Sequence, residues 1–272
     1  MDSKARELER VRDLYLELLI GSLTHTVYAG VDSIEPPVES RAAFARAMIE
    51  AGEGSPLFDP ERARAEGRDW PLHAQTMVGV ERMRNVRRCV ELALAEDVPG
   101  DLIEAGAWRG GVAILMRGIL NAYGVEDRVV WVADSFRGLP APDPDRYPYP
   151  ARLPEELEFL AVPVDEVREN FRRYALLDDQ VRFVEGWFSE TLPSLRGRCW
   201  SVVRVDGDMY ESTMDSLVNL YDGLSPRGFL IVDDFGLAMC RDAVEDFRRD
   251  RGIDEPIEQV DWTGVFWRKG AD

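Results

Sequence analysis

Two short acidic runs carry the most chemistry. Asp206-Gly207-Asp208 follows the apolar run Trp200–Val205, and Asp233-Asp234 follows the apolar run 228–232. Short runs rich in β-branched and aromatic residues read as buried strands. Where two such strands are neighbours, three or four carboxylates converge beyond their carboxyl ends. A hard-oxygen donor set of that kind suits Mg²⁺ or Ca²⁺, not zinc. A cation held there would polarise and orient a hydroxyl, and a nearby aspartate would accept its proton. The competing reading is two strand ends that face apart, each acid serving only as a cap.

Three further strand ends are acidic. The stretch 101–111, DLIEAGAWRGG, reads as a strand, a turn and the start of a helix, with Glu104, Gly106 and Gly110 in the turn. Glycine allows close backbone approach, and a helix N-terminus offers N–H groups to a ligand. Trp108 stands where the dinucleotide fingerprint needs glycine. An acid at this tip instead suits the amino-acid end or a ribose of a nucleoside cofactor such as S-adenosylmethionine (SAM). Asp134, at the end of the run 128–133, could accept both vicinal ribose hydroxyls on its two oxygens, with Ser135 and Phe136 lining the ribose. The turn Glu185-Gly186-Trp187-Phe188 offers a flat aromatic that could read an adenine edge or belong to the core.

The elements that must place these residues alternate regularly. Strands are expected at 101–104, 128–133, 181–184, 200–205 and 228–232. Helices are expected at 81–96, 112–123, 164–174, 212–224 and 239–251, and two late strands at 258–260 and 264–268. The alternation predicts an α/β fold: a mostly parallel sheet with an antiparallel C-terminal end and helices on both faces. Ligands of such a sheet bind outside the carboxyl ends of the strands. Leu8, Val11, Leu14, Tyr15, Leu18 and Leu19 give residues 4–23 helical spacing, for packing on a core or on a partner subunit. Residues 1–97 are expected as N-terminal helices with a lid or dimer segment, and 98–272 as the catalytic part with a lid insertion at 138–163. Residues 24–70 are mostly irregular, with a short helix at 40–51. Tyr147, Tyr149 and Phe159 could stack on an apolar face of a substrate.

Composition excludes several classes. The formal charge of −18 argues against nucleic acid and anionic membranes as partners. Three scattered cysteines and two histidines offer neither a disulfide framework nor a zinc site. The charged N-terminus has no signal-peptide h-region and no apolar run is of spanning length, so the cytoplasm is the default location.

EAGAWRGG (104–111), ADSFRGLP (133–140), DGDMYEST (206–213) and IVDDF (231–235) resemble the macrocin/mycinamicin-type sugar O-methyltransferases. THTVY (24–28), HAQTMVG (73–79) and DWTGVFWRK (261–269) extend the resemblance over nearly the whole chain. It implies a class I, Rossmann-like methyltransferase fold, a homodimer, and SAM- and Mg²⁺-dependent methylation of a hydroxyl on a deoxysugar of a glycosylated small molecule. By the same resemblance Glu104, Asp134 and the 185–188 turn hold SAM, with Gly106, Ala107, Trp108, Arg109 and Gly110. Thr76 and Met77 touch it from the N-terminal part. Asp206, Asp233 and Asp234 hold the metal, and Asp208 is a further ligand or the base. Asp206 stands as a catalytic and a cofactor-binding candidate too, and Tyr147, Tyr149 and Trp262 as substrate contacts. Two rivals keep the sheet: a metal-dependent catechol-type methyltransferase and a nicotinamide-dependent oxidoreductase.

Overall fold

The computed structural model describes residues 3–28, 60–68, 70–141 and 158–271. The expected helix at 40–51 and the candidates Tyr147 and Tyr149 lie outside the described residues. The strands are β1 (Asp101–Ala105), β2 (Val130–Asp134), β3 (Val181–Glu185), β4 (Trp200–Val205), β5 (Leu224–Val232), β6 (Glu258–Gln259) and β7 (Val265–Arg268). They form one seven-stranded sheet in the order β3-β2-β1-β4-β5-β7-β6. β1 to β5 run parallel, and β7 and β6 add the expected antiparallel end. Strand order reverses between β1 and β4, which opens a crevice at their carboxyl ends.

The helices are α1 (Ser3–Leu23), α2 (Pro60–Ala65), α3 (Val80–Ala95), α4 (Gly111–Ala122), α5 (Val164–Arg173), α6 (Phe188–Thr191), α7 (Tyr210–Leu220) and α8 (Ala238–Arg251). Two apolar layers result. α1, α3, α4 and α5 pack on one face of the sheet, and α7 and α8 on the other. α4 is apolar all round because it is covered twice, by the sheet and by α1. A Cβ on Gly118 of α4 would overlap Leu19 of α1, so glycine sets the close approach of these two helices. Among the described residues no helix is long and apolar enough to cross a membrane.

One expectation needs correction. α7 does not run to residue 224. It ends at Leu220, a tight turn spans Tyr221–Gly223, and β5 begins at Leu224. The register shift between Trp200 and Val202 leaves a bulge on β5, where Pro226 needs no ladder partner and Arg227 takes φ 67°. On α1 the core-facing stripe is Leu16, Leu19, Ile20 and Leu23, whereas Leu8, Val11, Leu14 and Leu18 are more than half exposed. Of the residues expected to pack on a core or a partner subunit, Leu19 is in the core and Leu8, Val11, Leu14 and Leu18 face outward. Ile20→Ala should cost about 2–5 kcal/mol of unfolding free energy in a urea titration, because Ile20 is buried between α1 and α4 and its removal leaves a cavity.

Candidate active site

The five acidic strand ends lie along one edge of the sheet, and a buried cation organises three of them. Arg204 lies in β4, and its side chain is 1% exposed. Its Nη1 donates to Glu104 Oε1 at 2.7 Å and lies 2.9 Å from Asp206 Oδ2, while Nη2 donates to Asp233 Oδ1. The other oxygen of Asp233 accepts from Arg82 of α3, also buried. Glu104 Oε2 accepts the Ala113 N–H at 2.9 Å, so it caps the first turn of α4. Sequence reasoning missed both arginines. The signal for Arg204 was a charge in an otherwise apolar strand; nothing marked Arg82.

Beside this ion chain, Asp206, Asp208 and Asp234 each offer an oxygen within 4.8 Å of the others. The Asp208 N–H donates to Asp234 Oδ2 at 3.1 Å. Asp233 departs from the expectation that it joins this set. Its carboxylate is buried, and each of its oxygens accepts from an arginine.

Charge follows geometry. Burial alone would raise Asp233, but Arg204 and Arg82 hold its carboxyl below the usual value. Burial and the neighbouring Asp233 raise Asp206. Burial, then Asp208 and Asp233, push Asp234 up to about 7. Burial lifts Glu104 to about 8 against the pull of Arg204. Crowding of the three carboxylates disfavours their ionised forms at Asp206 and Asp234, and a hard-oxygen donor set of this kind suits a divalent cation.

Two cavities meet at the cluster. The larger, about 290 Å³, runs over the ends of β1, β2 and β4 past Gly106, Asp134, Ser135, Trp187 and Phe188. The smaller, about 120 Å³, is bounded by Thr76, Glu104, Ala107, Asp234 and Trp262, with Trp70 and Phe159 as further aromatic walls. Met77, Trp108, Leu160, Asp206 and Asp208 line both. Gly106, at φ 97°, is required here: a Cβ would overlap the Asp206 carbonyl.

Several expected cofactor contacts are placed otherwise. Asp134 borders the larger cavity, but its Oδ2 already accepts the Ala107 and Trp108 N–H groups at 2.7 and 3.2 Å, and Oδ1 accepts that of Phe136 at 2.7 Å. Oδ1 also lies 3.5 Å from the Ser135 hydroxyl, so most of the carboxylate's accepting capacity is used within the loop. Arg109 borders neither cavity. It donates to the Leu72 and Ala74 carbonyls at 2.7 and 2.9 Å and lies over the Trp108 ring. Gly110 is the N-cap of α4, backed by Val167 and Phe171. Phe136 is a core residue, 5% exposed. Gly186 closes a turn by donating its N–H to the Asp134 carbonyl at 3.0 Å. Trp262 does reach the smaller cavity, where its Nε1 donates to the Glu66 carbonyl at 2.7 Å.

A parallel sheet with this strand order, a nucleoside-sized cavity over β1 and β2, and carboxylates at β4 and β5 define a class I methyltransferase. The chain belongs to the macrocin O-methyltransferase (TylF) family, whose model matches residues 12–269. It is 48% identical, over 97% of this chain and 95% of the relative, to 8-demethyl-8-(2,3-dimethoxy-alpha-L-rhamnosyl)-tetracenomycin-C 4'-O-methyltransferase of Streptomyces olivaceus. It is 42% identical, over 95% and 97%, to mycinamicin III 3''-O-methyltransferase of Micromonospora griseorubida. The solved structure of the O-methyltransferase NovP superposes with a TM-score of 0.80 at 43% identity, covering 95% of this chain and 99% of that one. Family membership removes the nicotinamide alternative.

The crowding at Asp234 has a pH signature. Asp234 has a folded-state pKa raised from 3.8 to about 7, so protonated Asp234 favours folding. That contribution is full below the unfolded value and is lost as pH rises through about 7. In cation-free protein, Asp234→Asn should therefore gain thermal stability relative to wild type between pH 5 and pH 8, read as the difference in Tm. A flat difference would show that Asp234 is ionised throughout.

Proposed function

We propose that this enzyme transfers a methyl group from SAM to a hydroxyl of a sugar carried on a larger natural product, with Mg²⁺ held at the carboxylate cluster. The observation that carries this reading is the position of the cluster on the wall shared by the two cavities. A donor in the larger cavity and an acceptor in the smaller would meet at Asp206 and Asp208. The relatives' names agree: each that we cite is an O-methyltransferase, and one is named for a rhamnosyl-bearing tetracenomycin C.

In this reading Asp206 and Asp234 hold the cation, which would supply Lewis acidity that lowers the pKa of the acceptor hydroxyl. Asp208 accepts the hydroxyl proton. The acceptor oxygen forms the new O–C bond as the methyl C–S bond breaks, and the electron pair stays on sulfur. Trp187 and Phe188 would flank the nucleoside, and Asp134, on the same cavity, would face its ribose. Trp70, Trp262 and Phe159 give the acceptor an apolar wall. The Phe159 carbonyl accepts from Trp108 Nε1 at 2.9 Å, which ties the 138–163 insertion to the cofactor loop and supports its role as a lid. Holding the oxygen, methyl and sulfur in line can contribute on the order of 7–11 kcal/mol.

We also propose a homodimer built on α1. Leu8, Val11, Leu14 and Leu18 form an exposed apolar stripe on a helix whose other face is already buried.

Asp208→Asn should lower kcat by about 10²–10⁴-fold with an unchanged calorimetric affinity for SAM. EDTA should abolish turnover of a rhamnosylated polyketide, and Mg²⁺ should restore it. Full turnover in EDTA, or methylation of a catechol in preference to the glycoside, would refute this assignment. Leu14→Glu combined with Leu18→Glu should shift the sedimenting species to monomer; a wild type that is already monomeric would remove the dimer.

A further inference from the structure

One turn far from the cluster in sequence is wired into it. Residues 261–264, between β6 and β7, present three side chains toward the site: Asp261, Trp262 and Thr263. Asp261 is buried, with a 1% exposed side chain, and its Oδ1 accepts the Thr263 and Gly264 N–H groups at 3.0 and 2.7 Å. Its Oδ2 lies 2.9 Å from Arg82 Nε, yet the pair is off hydrogen-bond alignment and both atoms lack a hydrogen-bond partner. Thr263 Oγ1 donates to the Asp233 carbonyl at 3.1 Å and accepts the Gly236 N–H at 3.2 Å. Trp262 donates to the Glu66 carbonyl, and the Arg68 guanidinium lies 4.6 Å over its ring.

A buried, unaligned guanidinium–carboxylate pair is costly unless something offsets it. Here the attraction is Coulombic, and it draws Arg82 along a line of alternating charge: Asp261, Arg82, Asp233, Arg204, Asp206. The last of these is a member of the three-carboxylate cluster. Thr263 fixes the backbone of Asp233, and Asp234 follows in the chain. Both ends of the cluster are therefore set by the same turn, once through charge and once through backbone.

We propose that Asp261 and Thr263 are positioning residues for the metal cluster, and that the 261–264 turn links it to the 66–68 segment beside the acceptor cavity. Neither side chain touches the cluster's own oxygens. The inference rests on the cation site proposed above. Removing the Asp261 charge slackens Arg82, lets Asp233 draw Arg204 away from Asp206, and loosens the oxygens that must meet a cation together. Groups one shell outside a metal typically change its affinity by about 10–100-fold when mutated.

The experiment uses the full chain and Mn²⁺ alone as the probe, read by electron paramagnetic resonance, with SAM affinity by calorimetry in parallel. Asp261→Asn keeps the side-chain shape and the bonds to Thr263 and Gly264. Thr263→Val keeps the volume and removes the hydroxyl. Each should raise the Mn²⁺ Kd about tenfold or more while the SAM Kd stays within about twofold. Wild-type Mn²⁺ affinity in both variants would overturn the proposal, as would loss of SAM and Mn²⁺ binding together, which would mark a general structural role. No Mn²⁺ binding by wild type would end the metal reading itself, and this proposal with it.

Discussion

The site depends on one buried guanidinium. Arg204 stands in the central strand of the sheet, nearly without solvent, and three carboxylates from β1, β4 and β5 converge on it. Taking a cation out of water costs several kcal/mol per ion, which only close, well-placed anions offset. The reverse also holds: Glu104 and Asp233 could not be buried at neighbouring strand ends without it. An ordinary buried ion pair is often replaceable by apolar side chains at little loss. This one is not of that kind, because removing the arginine leaves three acids facing one another. Strand order β1-β4-β5 and the acidic rim are thus one constraint, since only adjacent strands bring these groups within reach of a single side chain.

That arrangement divides the acids by role. Those nearest the arginines, Glu104 and Asp233, are held: one caps α4 and the other is gripped from two sides. Asp206, Asp208 and Asp234 crowd together at the outer end, where burial and their neighbours raise Asp206 and Asp234 even though Asp206 also meets Arg204. The held pair fixes geometry, and the trio borders the two cavities. Mg²⁺ prefers few protein ligands and keeps positions for other oxygens, which suits a trio open to two cavities.

The sequence made the sheet legible because its strands are short apolar runs that each end in an acid, and an alternating order of strands and helices leaves few topologies. It also placed Asp206, Asp208 and Asp234 together, since parallel neighbours share a carboxyl edge. What it hid has physical causes. Asp233 and Asp234 are adjacent in sequence but point to different partners, and one-dimensional spacing does not distinguish them. Arg109 sits in the glycine turn and yet reaches back to the Leu72 and Ala74 carbonyls, because a long side chain need not stay where its Cα is. Asp134 was legible as a cavity residue, but not as one whose oxygens are largely spent on neighbouring N–H groups. Arg82 could be found only in three dimensions, where α3 crosses over the end of β5.

The strand-end loops show which demand prevailed. Trp108, Phe136 and Asp208 all adopt positive φ, at 47°, 55° and 56°, in loops that follow β1, β2 and β4. For side chains other than glycine this region costs roughly 1–2 kcal/mol per residue. Glycine would relieve the strain and remove the side chain. At 108 that would delete a wall common to both cavities and the donor to Phe159; at 208, an oxygen of the cluster. At 136 it would open the core beside Phe183. At these three positions, among the seven described non-glycine residues of positive φ, the chain needs a tight turn and a side chain at the same place. The same requirement explains why Trp108 stands where a dinucleotide-binding loop would have glycine: this loop must close a wall between two cavities, not admit a pyrophosphate.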